Sequence, residues 1–166
     1  MRPVLDVLRA LHEAEVRAVV VGGVAVVLHG HPRLTADLDL VLDLASDNVT
    51  RALVTLQQQG LRPRLPVAPE QFADPVIRER WQRERDLTVF SLHDPADALR
   101  EVDLLAESPV PFAELWAASR VVLVADVPVR VAGLDHLLAM KRAAGRAQDL
   151  ADVAALEALR DDTGRP

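Results

Sequence analysis

Between Asp37 and Asp43 the sequence alternates acidic and aliphatic residues, and this pattern constrains the fold more than any other part of the chain. Residues two apart on a β-strand share a face, so the alternation predicts a strand with one buried and one polar face. Asp37 and Asp39 would point to the same side, while Leu38 and Leu40 would enter a core. The segment therefore predicts a strand that presents paired carboxylates.

Paired carboxylates indicate a cation site. Two carboxylates held side by side repel each other, so one of them should resist ionisation. A divalent cation removes this cost, and Mg²⁺ prefers one or two carboxylates together with substrate phosphates. A half-exposed strand with an acidic outer face is the alternative, although aspartate is disfavoured in strands.

A pair of glycines, Gly22 and Gly23, follows the apolar run Ala18–Val21 and precedes a predicted helix over 24–29. Glycines here let the backbone approach a phosphate closely, and the N-terminus of the following helix favours negative charge. A tight turn after a buried strand is the alternative. The spacing matches neither the dinucleotide-binding glycine pattern nor a P-loop.

Periodicity and turn residues predict the remaining elements. Helices are predicted over 3–14, 46–59, 71–83, 112–118, 134–143 and 146–160, and strands over 87–92, 101–105, 121–124 and 127–131. The stretch 93–100 is predicted to be a turn and 61–69 a loop. We expect one α/β (α+β) domain over 1–160, with a small mixed sheet flanked by helices, and a C-terminal tail over 161–166.

Composition narrows the functional classes. The 166 residues include no cysteine, which excludes disulfides and thiolate metal sites. The net charge of −6 argues against a dedicated nucleic-acid binder. The N-terminal residues 1–15 carry charges throughout and lack the apolar core of a signal peptide, and the longest apolar stretch, Ala18–Leu28, is too short to span a membrane, so we expect a cytoplasmic protein without membrane contact.

Two motifs together resemble a known family. Gly22-Gly23-x-Ala25, followed by His29-Gly30-x-x-Arg33-x-Thr35-x-Asp37-x-Asp39, is similar to the signature of the DNA polymerase beta-like nucleotidyltransferase superfamily. Within it, the sequence is most similar to toxin-type and abortive-infection (AbiEii-like) nucleotidyltransferases and their small relatives. The resemblance covers 17–43, 101–105 and 133–153, and implies the nucleotidyltransferase fold with two C-terminal helices. The chain departs from many members in having Gly23 where they have serine.

The resemblance implies a metal-binding set. Asp37 and Asp39 would bind Mg²⁺ or Mn²⁺ together with a third carboxylate, Asp103, which lies in the alternating segment Glu101–Leu105. All three would be catalytic, and Asp103 would also help to activate the acceptor hydroxyl. For Asp103, a solvated strand position is the alternative.

The resemblance also implies a nucleotide-binding set: Gly22, Gly23, Arg33, Thr35 and Lys141. The glycines would hold the phosphates of a nucleoside triphosphate. Lys141, the only lysine in the chain, would face them as a point charge.

Nearby charged residues are predicted to be structural. Arg146, Asp149 and Asp152 have the spacing of an ion-pair set on one helix. His29 and His31 flank the glycine pair and are expected to pack or cap locally.

The implied activity is transfer of a nucleoside monophosphate from a triphosphate to an acceptor hydroxyl. RNA such as transfer RNA is the candidate acceptor, and a toxin with a cognate antitoxin is the candidate role. The arginine-rich stretch 62–85, including Arg78 and Arg83, is a candidate RNA-binding surface, with an ordinary solvated face as the alternative. Two other readings remain open: a non-catalytic nucleotide-binding or antitoxin-type interaction module, and an antibiotic nucleotidyltransferase.

Overall fold

The computed structural model describes residues 2–163, and this part of the chain forms seven α-helices, one 3₁₀-helix and seven strands. The helices are α1 (Arg2–Glu13), α2 (Gly22–Leu28), α3 (Ser46–Gln58), α4 (Pro75–Arg85), α5 (Phe112–Ala118), α6 (Leu134–Ala144) and α7 (Ala147–Thr163), with the 3₁₀-helix at Pro69–Ala73. The strands are β1 (Ala18–Val20), β2 (Asp37–Leu42), β3 (Arg62–Pro63), β4 (Val89–Asp94), β5 (Asp97–Leu105), β6 (Arg120–Val124) and β7 (Val127–Val131).

All seven strands join one mixed sheet, in the order β3-β4-β5-β2-β1-β7-β6. β2 pairs with β5, and β1 with β7, in parallel, while the other neighbours are antiparallel. The predicted mixed sheet flanked by helices, with two helices at the C-terminal end, is confirmed. The two parallel pairings bring together segments far apart in the sequence, and this places β5 beside the acidic strand.

The acidic strand β2 has the predicted two faces. Leu38 and Leu40 are each only 1% exposed and belong to the hydrophobic core, whereas Asp37 is exposed and Asp39 half-buried. Burying an aliphatic side chain stabilises the fold by about 1.5–3 kcal/mol, so a register slip that exposed this face would be strongly disfavoured. The core therefore fixes the side on which the carboxylates stand.

The segment 93–100, which was predicted to be a turn, is mostly β-strand. β4 and β5 form a hairpin whose turn is limited to Pro95 and Ala96, and the strands resume at Asp97. The carboxylate of Asp94 accepts a hydrogen bond from the Ala96 N–H and pairs with Arg100 at 3.0 Å. These contacts stabilise strand structure in a stretch whose residues favour turns.

Several other boundaries differ from expectation. α2 begins at Gly22 and so includes both glycines, and the short strand β3 lies within the predicted loop. α7 extends to Thr163 and includes 161–163, which the sequence assigned to the tail, while 164–166 lie outside the described residues. No helix within the described range is long and apolar enough to cross a membrane.

Candidate active site

The three predicted metal ligands stand on two adjacent parallel strands. In the β2–β5 register, Asp39 lies opposite Asp103 and Asp37 lies opposite Glu101. Side chains paired in this way point to the same face of a sheet. The structure therefore brings Asp37, Asp39 and Asp103 together on the face opposite Leu38.

Crowding of these carboxylates perturbs their ionisation. Burial, followed by repulsion from Asp103 and then Asp37, raises the pKa of Asp39 to about 6, although a hydrogen bond from the Gly23 N–H and the charge of Lys141 oppose the shift. Burial also raises the pKa of Asp103, against an opposing hydrogen bond from the Ser91 hydroxyl. Excess negative charge at one place is what a bound cation would relieve.

The glycine pair packs directly against the site. Gly22 has a φ of +59°, and a Cβ placed on it would lie 1.8 Å from Asp39 Oδ2. A Cβ on Gly23 would lie 2.3 Å from Thr35 Oγ1 and 2.6 Å from Arg33 Nη2. The chain therefore needs glycine at both positions to admit its own side chains, in addition to any role in phosphate binding.

Lys141 and Arg33 belong to a buried ion-pair cluster. Lys141 is 5% exposed, and its Nζ lies 2.7 Å from Asp152 Oδ2 and 3.0 Å from Asp149 Oδ1. Arg33 Nε lies 3.0 Å from the other oxygen of Asp152. The two aspartates thus form ion pairs as predicted, but their partners come from other segments and not from Arg146.

The fully buried Asp152 keeps its charge. Burial alone would raise the pKa of this carboxyl, but hydrogen bonds from Lys141 and Gln148 and the charges of Lys141 and Arg33 outweigh burial and lower the pKa. Two cations therefore compensate one buried anion in this cluster.

One cleft of about 790 Å³ contains every residue that was predicted to bind metal or nucleotide. Its lining includes all eight: Gly22, Gly23, Arg33, Thr35, Asp37, Asp39, Asp103 and Lys141. Apolar side chains form much of the remaining wall: Leu34, Val89, Leu105, Leu137 and Met140. The cleft thus combines a charged floor with an apolar wall, as small-molecule sites commonly do.

The carboxylates fit a divalent cation that is shared with a substrate. Within residues 2–163, no three side chains of His, Cys, Asp or Glu are arranged to hold a metal ion by themselves. However, Asp103 Oδ1 is buried without a hydrogen-bond partner, beside Asp39 in the register. Because Mg²⁺ binds through one or two carboxylates plus substrate phosphates, this donor set suits it.

Comparison with known proteins gives structural matches only. No family model and no curated protein matches the sequence. The lincomycin-bound lincosamide antibiotic adenylyltransferase LnuA is similar to the chain with a TM-score of 0.64 and 14% identity, over 95% of this chain and 96% of that one. The chain has the nucleotidyltransferase fold.

An antibiotic-resistance factor is similar to the chain in the same way. The solution structure of the antibiotic-resistance factor ANT(2'')-Ia is similar with a TM-score of 0.59 and 13% identity, over 98% of this chain and 89% of that one. Its crystal structure with adenylyl-2''-tobramycin gives 0.58 and 14%, over 97% and 95%. The fold expected from the resemblance is confirmed, whereas a special closeness to abortive-infection proteins stays a prediction.

Arg78, which was predicted to belong to an RNA-binding surface, is buried in the structure. Arg78 is 6% exposed, and its guanidinium donates hydrogen bonds to the carbonyl oxygens of Phe72 at 2.7 Å and Leu44 at 3.1 Å. Arg64 is engaged by Glu101 through two hydrogen bonds. The RNA-contacting role predicted for Arg78 is therefore wrong, because this side chain joins backbone segments inside the protein.

The contacts of two residues near the site, Ser91 and Asp152, were not predicted from the sequence. Ser91 bonds to Asp103 from β4, and only the β4–β5 register reveals this contact. Asp152 was predicted to pair with charged residues on its own helix. Its ion pair with Arg33 was not predicted, because spacing along one helix does not show which distant residues pack against it. His29 was expected to pack or cap locally, but its ring contacts a distant segment: Nε2 lies 2.8 Å from the Ala132 carbonyl oxygen.

Proposed function

We propose that this protein is a divalent-metal-dependent nucleotidyltransferase that moves a nucleoside monophosphate from a triphosphate to an acceptor hydroxyl. The observation that carries the proposal is the pairing of Asp39 with Asp103 across parallel strands, in a cleft that also contains the glycine pair and Arg33. The fold shared with the lincosamide antibiotic adenylyltransferase LnuA and with the antibiotic-resistance factor ANT(2'')-Ia supports it. Because the proposed donor is a nucleoside triphosphate, we also propose a cytoplasmic location for the protein.

In this proposal Asp37, Asp39 and Asp103 hold Mg²⁺ or Mn²⁺, which neutralises the triphosphate charge when bound. The glycine pair allows the phosphates to approach the backbone closely, and Arg33 presents its guanidinium beside it. The acceptor oxygen forms a bond to the α-phosphorus while the bond to pyrophosphate breaks. Positioning of the two reactants in the cleft lowers the barrier.

Asp103 is the proposed acceptor of the hydroxyl proton. Its Oδ1 carries no hydrogen bond within the protein, and burial raises its pKa, so the carboxylate is more basic than usual. A base within hydrogen-bond reach of the acceptor hydroxyl takes the proton as the new phosphoester bond forms. Ser91 lies opposite Asp103 on β4, and its hydroxyl donates to this carboxylate.

A small hydroxylated molecule is the acceptor that we favour. Small-molecule sites commonly enclose about 300–1,000 Å³, and the cleft of about 790 Å³ lies in this range. The structural neighbours were solved with lincomycin and with adenylylated tobramycin. An RNA acceptor has less support, because the net charge is −6 and Arg78 is buried. A role as a toxin with an antitoxin partner, which depends on an RNA acceptor, has less support for the same reason.

Transfer of label identifies donor and acceptor together. Each nucleoside triphosphate, labelled at the α-phosphate, is incubated with the protein and Mg²⁺ in the presence of lincosamides, aminoglycosides or transfer RNA. We expect label on a small molecule, with a mass increase of one nucleoside monophosphate. Label found only on RNA would refute the small-molecule acceptor and support the toxin role. Absence of pyrophosphate release with every combination of triphosphate and acceptor would contradict nucleotidyl transfer.

A further inference from the structure

Asp152 connects three segments that surround the cleft. Its side chain is 0% exposed, and it lies on α7, outside the cleft lining. One carboxylate oxygen lies 3.0 Å from Arg33 Nε and 3.1 Å from Gln148 Nε2, and the other lies 2.7 Å from Lys141 Nζ. A buried charge with this many partners fixes the geometry of each of them.

The two cations differ in what they present to the cleft. Lys141 is 5% exposed and already has two carboxylates, Asp149 and Asp152, around its ammonium group. The side chain of Arg33 is 20% exposed. Its Nη1 donates to the Leu34 carbonyl oxygen at 2.9 Å, and its Nη2 lies over Gly23. Arg33 is thus held by an ion pair at Nε and a hydrogen bond at Nη1, and its Nη2 lies beside Gly23.

We propose that Asp152 is a positioning residue for nucleotide binding. It holds Arg33 so that Nη2 meets the triphosphate over Gly22 and Gly23, and Lys141 compensates the charge of Asp152 instead of binding phosphate. This inference rests on the proposed function, because it assumes that triphosphate binds in the cleft.

The physical basis is preorganisation. A free arginine side chain has many rotamers, and ordering it on binding reduces affinity. The rigid fork of the guanidinium allows Asp152 to hold Nε while another edge remains available for a phosphate oxygen. A lysine at position 33 could pair with Asp152 but could not present a second nitrogen at the same time.

A purely structural role for Asp152 is the competing explanation, since the residue lies between α6 and α7. Another ion pair, Arg142 with Glu157, joins the same two helices outside the cleft lining. Glu157→Gln is therefore a matched control that removes an acidic partner from α7 without changing the cluster around Arg33.

The test is a double-mutant cycle on ligand affinity. Kd values for Mg–ATP, and for Mg–tripolyphosphate as a probe without base or sugar, are measured by calorimetry for wild type, Asp152→Asn, Arg33→Gln, the double variant and Glu157→Gln. Loss of a hydrogen bond to a charged group weakens binding by about tenfold or more. We expect that loss for both single variants, no further loss in the double variant, and no change for Glu157→Gln.

Steady-state turnover provides a readout that a structural role would not reproduce. For Asp152→Asn we expect the KM for the triphosphate to rise about tenfold with kcat nearly unchanged, since uniform binding is lost and the reacting carboxylates remain. Arg33→Lys should bind as weakly as Arg33→Gln, because its ammonium group cannot serve Asp152 and a phosphate together.

A second background keeps the inference testable if Asp152→Asn fails to fold. Asp152→Asn combined with Lys141→Met removes both buried charges at once, a change that proteins often tolerate. In this background, adding Arg33→Gln should cause no further loss of affinity.

Three results would overturn the inference. Additive losses in the cycle would show that Asp152 acts independently of Arg33. Normal affinity in Asp152→Asn, with a wild type that binds triphosphate, would refute the positioning role alone. If the wild type binds neither Mg–ATP nor any other Mg–triphosphate, the proposed function fails as well.

Discussion

Replacing Asp39 by asparagine should stabilise the metal-free protein. Burial and the neighbouring carboxylates raise the pKa of Asp39 from 3.8 to about 6, so the folded state disfavours the ionised form. A shift of about two units corresponds to roughly 3 kcal/mol of destabilisation when the group is ionised in both states. Asparagine has nearly the same size and keeps an oxygen for the Gly23 N–H, so it removes the charge and little else.

The sign of the effect follows from proton linkage. A carboxyl with a raised folded-state pKa contributes almost no penalty below its unfolded pKa; the penalty grows as pH rises from the unfolded pKa of 3.8 to the folded pKa of about 6, and is complete above it. The advantage of Asp39→Asn should therefore be absent near pH 4 and complete near pH 8. For a chain of this length it corresponds to a rise in Tm of roughly 5–10 °C at the higher pH.

Thermal unfolding in the presence of a chelator measures this difference. The matched control is Asp43→Asn, just after the end of the same strand, where the carboxylate pairs with Arg17 at 3.0 Å. That substitution should lower Tm slightly, because an attractive contact is lost. Equal Tm values for wild type and Asp39→Asn near pH 8, or a gain that does not change with pH, would refute the electrostatic reasoning.

Three further predictions concern stabilisation by metal ions, triphosphate affinity and the contribution of Arg78 to stability. Millimolar Mg²⁺ or Mn²⁺ should raise the Tm of the wild type in a thermal scan but not that of Asp37→Asn, and an unchanged response in the variant would remove Asp37 from the metal site. Gly23→Val should abolish triphosphate binding in calorimetry, because its side chain displaces Thr35 and Arg33, and normal affinity in a folded variant would contradict this. Arg78→Ala should lower the free energy of unfolding by about 1–3 kcal/mol in a denaturant titration, since one buried and one partly buried carbonyl oxygen lose their donor. An intact stability with weakened RNA binding would restore the surface role of Arg78.

Local patterns predicted the elements that position the site. The alternation in β2 depends only on strand geometry and a buried face, so Leu38 and Asp39 could be assigned to opposite sides from the sequence alone. The strands β6 and β7 and the two C-terminal helices likewise follow from local patterns. Elements of this kind depend on interactions between residues close in the chain.

Contacts between distant segments could not be predicted in this way. No spacing rule connects Arg33 to Asp152, because their ion pair depends on how α7 packs beside the segment before β2. The burial of side chains on α4 could not be predicted either: Val76 is 72% exposed, whereas Arg78, predicted to lie on a surface, is buried because it donates hydrogen bonds to backbone carbonyl oxygens. The grouping of Asp103 with Asp39 was expected only from the family resemblance, since it requires the parallel β2–β5 register.

The most direct test of the central claim is metal-dependent pyrophosphate release by Asp103→Asn and its matched control, Glu101→Gln. Both residues lie on the same face of β5, but Glu101 is engaged by Arg64 and lies outside the cleft lining. With the acceptor identified by label transfer, the account predicts that Asp103→Asn lowers kcat by about 100-fold or more, whereas Glu101→Gln stays within a few-fold of wild type. Equal activity of Asp103→Asn and wild type, or pyrophosphate release that persists in a chelator, would contradict the account.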